Sequence, residues 1–297
     1  MSAQLIEGKI VARSVKKALK PRIAALKEAG LTPGLATVLV GNDPASETYV
    51  NSKARTCEKL GMYSEVVRKE ASIAQQELVS IVRSLNENER IHGILVQSPL
   101  PSHMDELAVT LTIDPAKDVD GFHPYNVGMM LIGRGDLLPC TPHGIIKLLE
   151  HYAIDPSGKE VVVVGRSNIV GKPVAALLMQ KARMANATVT VAHSRSRNLP
   201  DITRRADILI AAIGKPEVIG GDMIKSGAVV IDVGVNRVGD DTTDKGYRLV
   251  GDVCFEECCQ RASYITPVPG GVGVMTIAML MENTVTAAER YLKFRPD

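Results

Sequence analysis

The feature that most constrains this chain is the alternation of short apolar runs with amphipathic helical segments. Apolar runs of strand length occur at 35–40 (LATVLV) and 91–97 (IHGILVQ), and a helical pattern follows the first of them. Four later runs repeat this arrangement, at 160–164, 188–192, 207–212 and 228–233. Continuous apolar strands that alternate with amphipathic helices predict a parallel sheet covered on both faces, and therefore an α/β fold.

The length of the chain predicts two such α/β domains. At about 150 residues per domain, 297 residues suffice for two. We expect an N-terminal domain over 1–138 and a Rossmann domain over 139–268. The long amphipathic helix at about 276–292 has too few strands beside it to form a domain, so we expect 269–297 to return to the first domain. In the first helical segment, Pro21 is expected to kink or split the helix.

Composition and charge exclude several classes of function. Lys and Arg number 35 and Asp and Glu 33, so the net charge of +2 offers no field for a polyanion. Seven Tyr, three Phe and no Trp leave few rings for stacking on single-stranded nucleic acid. No apolar run reaches membrane-span length. We therefore expect no nucleic-acid or membrane partner. The acidic stretch 239–244 is expected to be an exposed loop or hairpin tip.

The five cysteines, Cys57, Cys140, Cys254, Cys258 and Cys259, have irregular spacing. An odd number of irregularly spaced cysteines is typical of reduced thiols, and none of them lies in a zinc-ligand pattern. We therefore expect a cytoplasmic location and no metal.

A nucleotide-binding turn is indicated at 161–173, VVVVGRSNIVGKP. A buried strand leads into Gly165-x-Ser167, and Gly171 follows as a helix expected over 171–183 begins. This is a variant of the dinucleotide fingerprint with Ser167 in the place of the second glycine. A tight turn there lets backbone N–H groups and the positive end of the helix meet a pyrophosphate.

The residues after the next strand favour NADP over NAD as the cofactor. An NAD site usually has a carboxylate there for the ribose hydroxyls. This chain has instead His193-Ser194-Arg195-Ser196-Arg197, and Arg166 lies in the facing turn. Cations and hydroxyls suit a 2′-phosphate, which a carboxylate would repel.

A second group of polar residues is expected at the ends of the N-terminal strands. Tyr49 and Lys53 are four residues apart on one helix and therefore share a face. Gln97 ends an apolar strand, which is where ligands bind in an open α/β sheet. Asp118 and Asp120 lie in a loop with a turn glycine. Taken singly, each of these is also compatible with a surface pair or a solvated turn.

Six motifs in order resemble the bifunctional methylenetetrahydrofolate dehydrogenase/methenyltetrahydrofolate cyclohydrolase family. They span essentially the whole chain with consistent spacing: DPASETYVNSK (43–53), GILVQSPLP (93–101), AKDVDGFHP (116–124), PCTPHG (139–144), GRSNIVGKP (165–173) and TPVPGGVGVMT (266–276). The resemblance implies a homodimer, with a folate cleft between an N-terminal catalytic domain and a Rossmann NADP-binding domain. It also implies a place in one-carbon metabolism and purine biosynthesis.

The resemblance also implies a role for each matching residue. Tyr49 would stack on the folate, Lys53 would be the central catalytic group, and Gln97 would position it. Asp120 would bind the pterin ring. The other implied contacts are Pro269, Gly270 and Gly271 on the folate, Gly165, Arg166, Ser167 and Ser194 on the NADP phosphates and ribose, and Val235 near the nicotinamide. From the sequence pattern, Gly171 and Arg195 join the cofactor residues.

The chemistry of the implied reactions agrees with these residue types. Loss of hydride from 5,10-methylenetetrahydrofolate gives a cation delocalised over two nitrogens, so oxidation needs alignment more than a strong base. Hydrolysis of that cation to 10-formyltetrahydrofolate needs an activated water, and a desolvated lysine with a lowered pKa suits that step.

Two positions depart from the family's usual pattern. Val274 stands where the family usually has Pro, at the start of the last helix, and Ser98 stands where it usually has Leu. The first departure puts the rigidity of the loop near the folate in question. Neither removes a predicted catalytic group.

Three other functions stay open at this point. One is a family member with only one of the two activities. Another is a Rossmann protein that senses NADPH without turnover. The third is an unrelated NADP-dependent dehydrogenase, which would need a His or Lys at the hydride site. His193 is the only histidine near the nucleotide turn, and its position after the second strand directs it to the ribose.

Overall fold

In a computed structural model of the chain, residues 2–243 and 246–294 are described. The strands are β1 (Gln4–Leu5), β2 (Gly34–Val40), β3 (Tyr63–Lys69), β4 (Gly93–Val96), β5 (Glu160–Val164), β6 (Thr188–Ala192), β7 (Ile208–Ala211), β8 (Val229–Asp232), β9 (Asn236–Gly239), β10 (Tyr247–Val250) and β11 (Tyr264–Ile265). The helices are α1 (Gly8–Glu28), α2 (Pro44–Leu60), α3 (Gln75–Glu87), α4 (Glu106–Thr110), α5 (Pro124–Leu131), α6 (Cys140–His151), α7 (Gly171–Leu178), α8 (Leu199–Thr203), α9 (Phe255–Cys259) and α10 (Gly273–Phe294), with a 3₁₀ turn at Gly221–Met223.

These elements form two compact α/β units, which confirms the predicted fold class. Residues 14–140 and 277–294 make the catalytic unit, and residues 2–13 and 141–276 make the nucleotide unit, as we name them below. Most of α10 lies with the catalytic unit, so the expected return of the C-terminal helix to the first domain is confirmed. None of the described helices is long and apolar enough to cross a membrane.

The catalytic unit is built on a parallel three-stranded sheet in the order β3-β2-β4. The central strand β2 is buried at all of its residues, because both of its edges are paired and both of its faces are covered. Its core includes Ala36 and Val38 from β2, Leu78 and Val82 from α3, and Ile94 from β4. The carboxyl ends of β2 and β4 lie at the same edge of the sheet, where ligands bind in such folds.

The nucleotide unit holds a parallel six-stranded sheet in the order β1-β11-β8-β7-β5-β6. Strand β5 lies between β7 and β6, and Val161 to Val164 are buried there. Strands β9 and β10 form a separate antiparallel hairpin. Its tip includes residues 240–243 of the predicted acidic loop, and Asp244 lies outside the described residues.

The structure differs from the expectations at three elements. Helix α1 continues through Pro21 and is not split, since one proline removes a single helical hydrogen bond from a long helix. Helix α7 ends at Leu178 and not near 183. No glycine or proline follows Leu178 in residues 179–187, so no local signal marks the end of this helix. The two-residue strand β1 was not predicted.

The compact units differ from the predicted domains at three places. Residues 2–13 lie in the nucleotide unit because β1 pairs with β11, and residues 269–276 also lie there. At a third place, residues 139–140 lie in the catalytic unit and not in the predicted Rossmann domain. The limits of the functional domains, 1–138 with 269–297 and 139–268, stay a prediction.

Candidate active site

Helix α2 positions Tyr49 and Lys53. It begins at Pro44 because the side chain of Asp43 accepts a hydrogen bond from the Ser46 N–H at 2.8 Å, and because proline suits the first helical turn. Lys53 points into the unit and is 7% exposed, whereas Tyr49, one turn earlier, is 47% exposed. The helix therefore presents a ring to solvent beside a buried amine.

Lys53 and Gln97 are joined directly. The Lys53 Nζ donates to Gln97 Oε1 at 2.8 Å. Gln97 follows β4, its backbone N–H donates to the Val38 carbonyl at 2.8 Å, and its Nε2 donates to the Ser98 carbonyl at 2.6 Å. Both ends of the Gln97 amide are thus engaged, which fixes the oxygen toward the lysine. Burial lowers the pKa of Lys53, and the negative charge of Asp120 opposes that effect.

The two carboxylates of the 118–120 loop have different surroundings. Asp118 is buried and accepts hydrogen bonds from the N–H groups of Gly121, Phe122 and His123, and from the Asn126 amide. It therefore holds the loop together. Asp120 is left to face Lys53. Burial raises the pKa of Asp120 to about 6, and the neighbouring Lys53 charge opposes that rise.

The nucleotide turn follows β5 and depends on close backbone approach. Gly165 has a φ of 139°, and a Cβ there would overlap the Ala212 carbonyl. A Cβ on Gly171 would overlap the backbone of Gly165, so α7 starts directly against the turn. Both glycines therefore allow the backbone of the turn, the neighbouring strand and α7 to pack closer than any side chain would permit, which is the backbone geometry of a pyrophosphate-binding turn.

Ser167 caps the helix that begins at this turn. Its Oγ accepts hydrogen bonds from the N–H groups of Val170 at 3.1 Å and Gly171 at 3.3 Å. The side chains of Arg166 and Ser167 are exposed at the turn. Ser167 therefore stabilises the start of α7, and its hydroxyl hydrogen can still be donated to another acceptor.

A tight turn follows the neighbouring strand β6. The His193 N–H donates to Ser196 Oγ at 3.0 Å, and the Arg195 N–H donates to His193 Nδ1 at 3.1 Å. Ser194 and Arg195 are left exposed. Since β5 and β6 are adjacent and parallel, this turn and the Gly165 turn lie at the same edge of the sheet.

Two buried carboxylates organise the loops after β7 and β8. Asp252 accepts from the N–H groups of Ile213, Gly214 and Lys215, and from the Asn236 amide. Asp232 accepts from the N–H groups of Gly234, Asp252 and Val253, and burial raises its pKa to about 6. Val235 follows β8 and is 48% exposed. In the sheet, β7 lies between β8 and β5.

The segment around Pro269 lies in the nucleotide unit beside the start of α1. The Val268–Pro269 peptide is cis, and the Gly271 N–H donates to the Pro267 carbonyl at 2.8 Å. A Cβ on Gly8 would overlap Gly271 and come within 2.9 Å of Val274 Cγ2. The Pro269 to Gly271 segment is therefore held against α1, and Val274 contributes to that contact.

Comparison with known proteins identifies the family. The model of the tetrahydrofolate dehydrogenase/cyclohydrolase catalytic domain matches residues 6–120, and the NAD(P)-binding domain of the same family matches residues 139–292. The chain belongs to the tetrahydrofolate dehydrogenase/cyclohydrolase family. It is an enzyme with both the catalytic and the NAD(P)-binding domain of that family.

Full-length relatives agree with this membership. A bifunctional protein FolD from Moorella thermoacetica is 57% identical over 98% of this chain and 100% of its own. A FolD crystal structure from Campylobacter jejuni has a TM-score of 0.91 and 46% identity, and covers 97% of this chain and 99% of its own. The Trypanosoma brucei enzyme, complexed with NADP and inhibitor, has a TM-score of 0.93 and 42% identity over the whole of both chains.

Within this enzyme, the structure brings together only part of the predicted site. Lys53 contacts Gln97 and faces Asp120, and Gly165, Ser167 and Gly171 form one turn. Sequence reasoning missed Cys140 and Asn283 beside Asp120, and Asp232 and Asp252 beside Val235. The PCTPHG motif contains Cys140 and was a signal for it. No local pattern singles out the other three.

Proposed function

We propose that the enzyme oxidises 5,10-methylenetetrahydrofolate to 5,10-methenyltetrahydrofolate with NADP and then hydrolyses the product to 10-formyltetrahydrofolate. The observation that carries this proposal is the buried Lys53 amine, which donates a hydrogen bond to Gln97 Oε1 at 2.8 Å and has the negative charge of Asp120 nearby. A desolvated, oriented lysine is the group that hydrolysis of a methenyl cation requires. Bifunctional relatives at more than half identity over the full chain support the same two activities.

The first reaction relies on positioning of the folate. NADP accepts the hydride when it is bound. Asp120 is proposed to accept hydrogen bonds from the paired N–H groups of the pterin ring, since a carboxylate matches such a pair. Tyr49, exposed one turn from Lys53, stacks on the folate, and Pro269, Gly270 and Gly271 line it. These residues align the reacting carbon and need no strong base.

The second reaction relies on Lys53. Burial lowers the pKa of its amine, which brings the neutral form closer to the working pH, and Gln97 holds Nζ in place. In this proposal Lys53 accepts a proton from the attacking water and returns it to the departing ring nitrogen, and the remaining hydroxyl proton leaves to solvent as the formyl C=O bond forms. Asp120 balances the charge of Lys53 when the amine is protonated.

The residues at the edge of the nucleotide sheet fit NADP. The tight, close-packed turn at Gly165 and Gly171 is proposed to bind the pyrophosphate, and Arg166, Ser167 and Ser194 are proposed to bind its phosphates and ribose. Arg195 is exposed in the turn after β6 and supplies a cation for the 2′-phosphate. Val235 is proposed to contact the nicotinamide end. The NADP bound in the Trypanosoma brucei relative supports this cofactor.

We further propose that the protein is a cytoplasmic homodimer that supplies one-carbon units for purine biosynthesis. Its five cysteines are all free, which suits a reducing compartment. Sedimentation of the purified protein should give a mass near twice the 31.9 kDa of one chain. A monomer at working concentration would contradict the dimer.

The division of labour is tested by Lys53→Met. We expect cyclohydrolase activity to fall by at least about 100-fold, because a general acid–base group is lost, while hydride transfer stays within about tenfold. NADPH formation and the decay of methenyltetrahydrofolate are followed by absorbance on the same enzyme samples. The control is Lys59→Met, an exposed lysine of the same helix, which should change neither activity. Equal and total loss of both activities in Lys53→Met would contradict the proposal.

A further inference from the structure

Val235, the residue proposed to contact the nicotinamide, lies between two residues that are each bound to a buried carboxylate. On one side, the Gly234 N–H donates to Asp232 Oδ1 at 3.0 Å. On the other side, the Asn236 Nδ2 donates to Asp252 Oδ1 at 3.0 Å. Asp232 is 2% exposed and Asp252 is fully buried, whereas Val235 is 48% exposed. The exposed valine is therefore held in place from both of its neighbours.

The Asn236 side chain uses both of its amide hydrogens in this contact. Its Nδ2 also donates to the Gly251 carbonyl at 3.2 Å, and a carboxamide nitrogen has two hydrogens. The backbone of Asn236 pairs with Val250 where the β9–β10 hairpin begins. The residue after Val235 is thus tied to the 250–252 segment through its side chain as well as its backbone.

Asp252 extends these contacts to the turn after β7. Its carboxylate accepts hydrogen bonds from the three backbone N–H groups of residues 213–215, at distances of 2.6, 3.0 and 3.1 Å. The carbonyl of Ala212, just before this turn, is the group that a Cβ on Gly165 would overlap. A continuous series of close contacts therefore runs from the proposed pyrophosphate turn at Gly165 to Val235.

Two glycines leave the carboxylates no room to move. A Cβ on Gly234 would overlap the carboxylate of Asp252, and a Cβ on Gly251 would overlap the carboxylate of Asp232. The Asp252 N–H also donates to Asp232 Oδ1 at 2.9 Å. Each carboxylate is thus packed against the chain segment that carries the other, which fixes the acceptor of the Asn236 amide in one position.

We propose that Asn236, acting through Asp252, is a positioning residue that places Val235 for contact with the nicotinamide of NADP. A fixed spacing between the pyrophosphate turn and Val235 holds the cofactor in one geometry, which is what alignment for hydride transfer requires. This inference rests on the proposed binding of NADP with its nicotinamide end at Val235. It gives the β9–β10 hairpin, which lies outside the parallel sheet, a role in the dehydrogenase reaction.

The test compares binding of NADP with binding of 2′,5′-ADP, which has the adenosine and the 2′-phosphate but no nicotinamide. In Asn236→Ala, calorimetry should give a Kd for NADP raised about tenfold and a Kd for 2′,5′-ADP changed less than about twofold, since only donors to a buried carboxylate near Val235 are lost. Asn236→Asp keeps the volume but puts a second negative charge beside Asp252, so it should weaken NADP binding more. The control is Gln260→Ala, an exposed amide of the same unit, which should change neither Kd.

The two activities give a second readout that general destabilisation would not produce. In Asn236→Ala the KM for NADP should rise and the kcat of the dehydrogenase should fall, because the nicotinamide is less well aligned. Hydrolysis of supplied methenyltetrahydrofolate without NADP relies on Lys53 and should be unchanged. If Asn236→Ala does not fold, Asn236→Asp decides. Equal weakening of NADP and 2′,5′-ADP, or equal loss of both activities, would overturn the positioning role.

The binding measurements also separate this inference from the proposed reactions. Selective weakening of NADP over 2′,5′-ADP in Asn236→Ala supports the positioning role even if the unaltered enzyme shows no turnover, in which case only the proposed reactions fail. Turnover by the unaltered enzyme with unchanged NADP binding in Asn236→Ala overturns the positioning role alone. No binding of NADP to the unaltered enzyme overturns both.

Discussion

At the scale of single residues, the site is defined by two ionisable groups that are removed from water together. Burial pushes Lys53 toward its neutral amine and Asp120 toward its neutral acid, and each charge partly offsets the cost of the other. Neither group is neutralised by a close ion pair within the described residues. Burial thus lowers the pKa of Lys53 and raises that of Asp120, and such shifts are a common property of catalytic groups.

The raised pKa of Asp120 makes a prediction about stability. An aspartic acid at about 3.8 in the unfolded chain and about 6 in the folded one holds its proton in the folded state between those values. Stability therefore falls as pH rises from about 4 to about 6. Asp120→Asn removes this loss, so we expect the variant to be about 1 kcal/mol more stable at pH 7.5, after allowance for partial exposure. It should also lose folate affinity.

Urea unfolding at pH 4.5 and pH 7.5 checks this prediction. The control is Asp136→Asn, whose side chain is 62% exposed, and it should change stability by less than about 0.5 kcal/mol at either pH. The expected gain of Asp120→Asn is larger at pH 7.5 than at pH 4.5. A loss of stability at pH 7.5 would mean that the carboxylate stabilises the fold through Lys53, contrary to the expected sign.

At the scale of elements, buried side chains form hydrogen bonds with loop backbone groups that have no partners in a helix or a sheet. Asp118 does this for the loop before α5, Asn283 for the segment before α6, and Asp252 for the loop after β7. Each of these side chains supplies a hydrogen-bond partner to backbone atoms that burial would otherwise leave without one. The predicted ligand-binding edges of both sheets are therefore built from loops with internal anchors.

Asp252→Ala tests the strongest of these anchors. The change leaves three backbone N–H groups and the Asn236 amide without their acceptor, so we expect a loss of about 3 kcal/mol in the free energy of unfolding. Asp252→Asn keeps one acceptor oxygen and should lose less. Urea unfolding is the measurement, and Asp222→Ala, an exposed aspartate of the same unit, is the control. Equal effects of the Asp252→Ala and Asp222→Ala changes would contradict the anchoring role.

At the scale of the whole molecule, two units share the chain in an interleaved order. The nucleotide unit takes residues 2–13 and then 141–276, so the catalytic unit consists of two separate stretches, 14–140 and 277–294. Helices α1 and α10 each contribute residues to both units. The functions proposed for the two units are therefore encoded in alternating stretches of sequence.

Cofactor preference is expected to show in the stability of the whole protein. NADP at a fixed concentration should raise the Tm more than NAD does, because at equal concentration the ligand with the lower Kd stabilises the folded state more. In Arg195→Ala the affinity for NADP should fall about tenfold and that for NAD should change little, since a charge-assisted bond to the 2′-phosphate is lost. Arg205→Ala, also exposed in the same unit, is the control. Equal loss of both cofactors in Arg195→Ala would contradict this assignment.

The sequence by itself determined the features that depend on neighbouring residues. Apolar runs and helical periodicity located β2, β4, β5 and α3, and the Gly165-x-Ser167 turn was recognisable between its strand and helix. The spacing of Tyr49 and Lys53 placed them on one helix face. Even so, the end of α7 was misjudged, because no glycine or proline follows Leu178 to mark it.

Only the tertiary structure decided which of these residues share an environment. Asp118 and Asp120 are alike in sequence, yet the carboxylate of Asp118 accepts hydrogen bonds from backbone N–H groups, whereas Asp120 lies near the charge of the buried Lys53. Asn283 reaches Val119 across 164 positions of the chain. Burial and long-range hydrogen bonding depend on how distant segments pack, and no local pattern encodes that, so the partners of Asp120 emerged only from the folded unit.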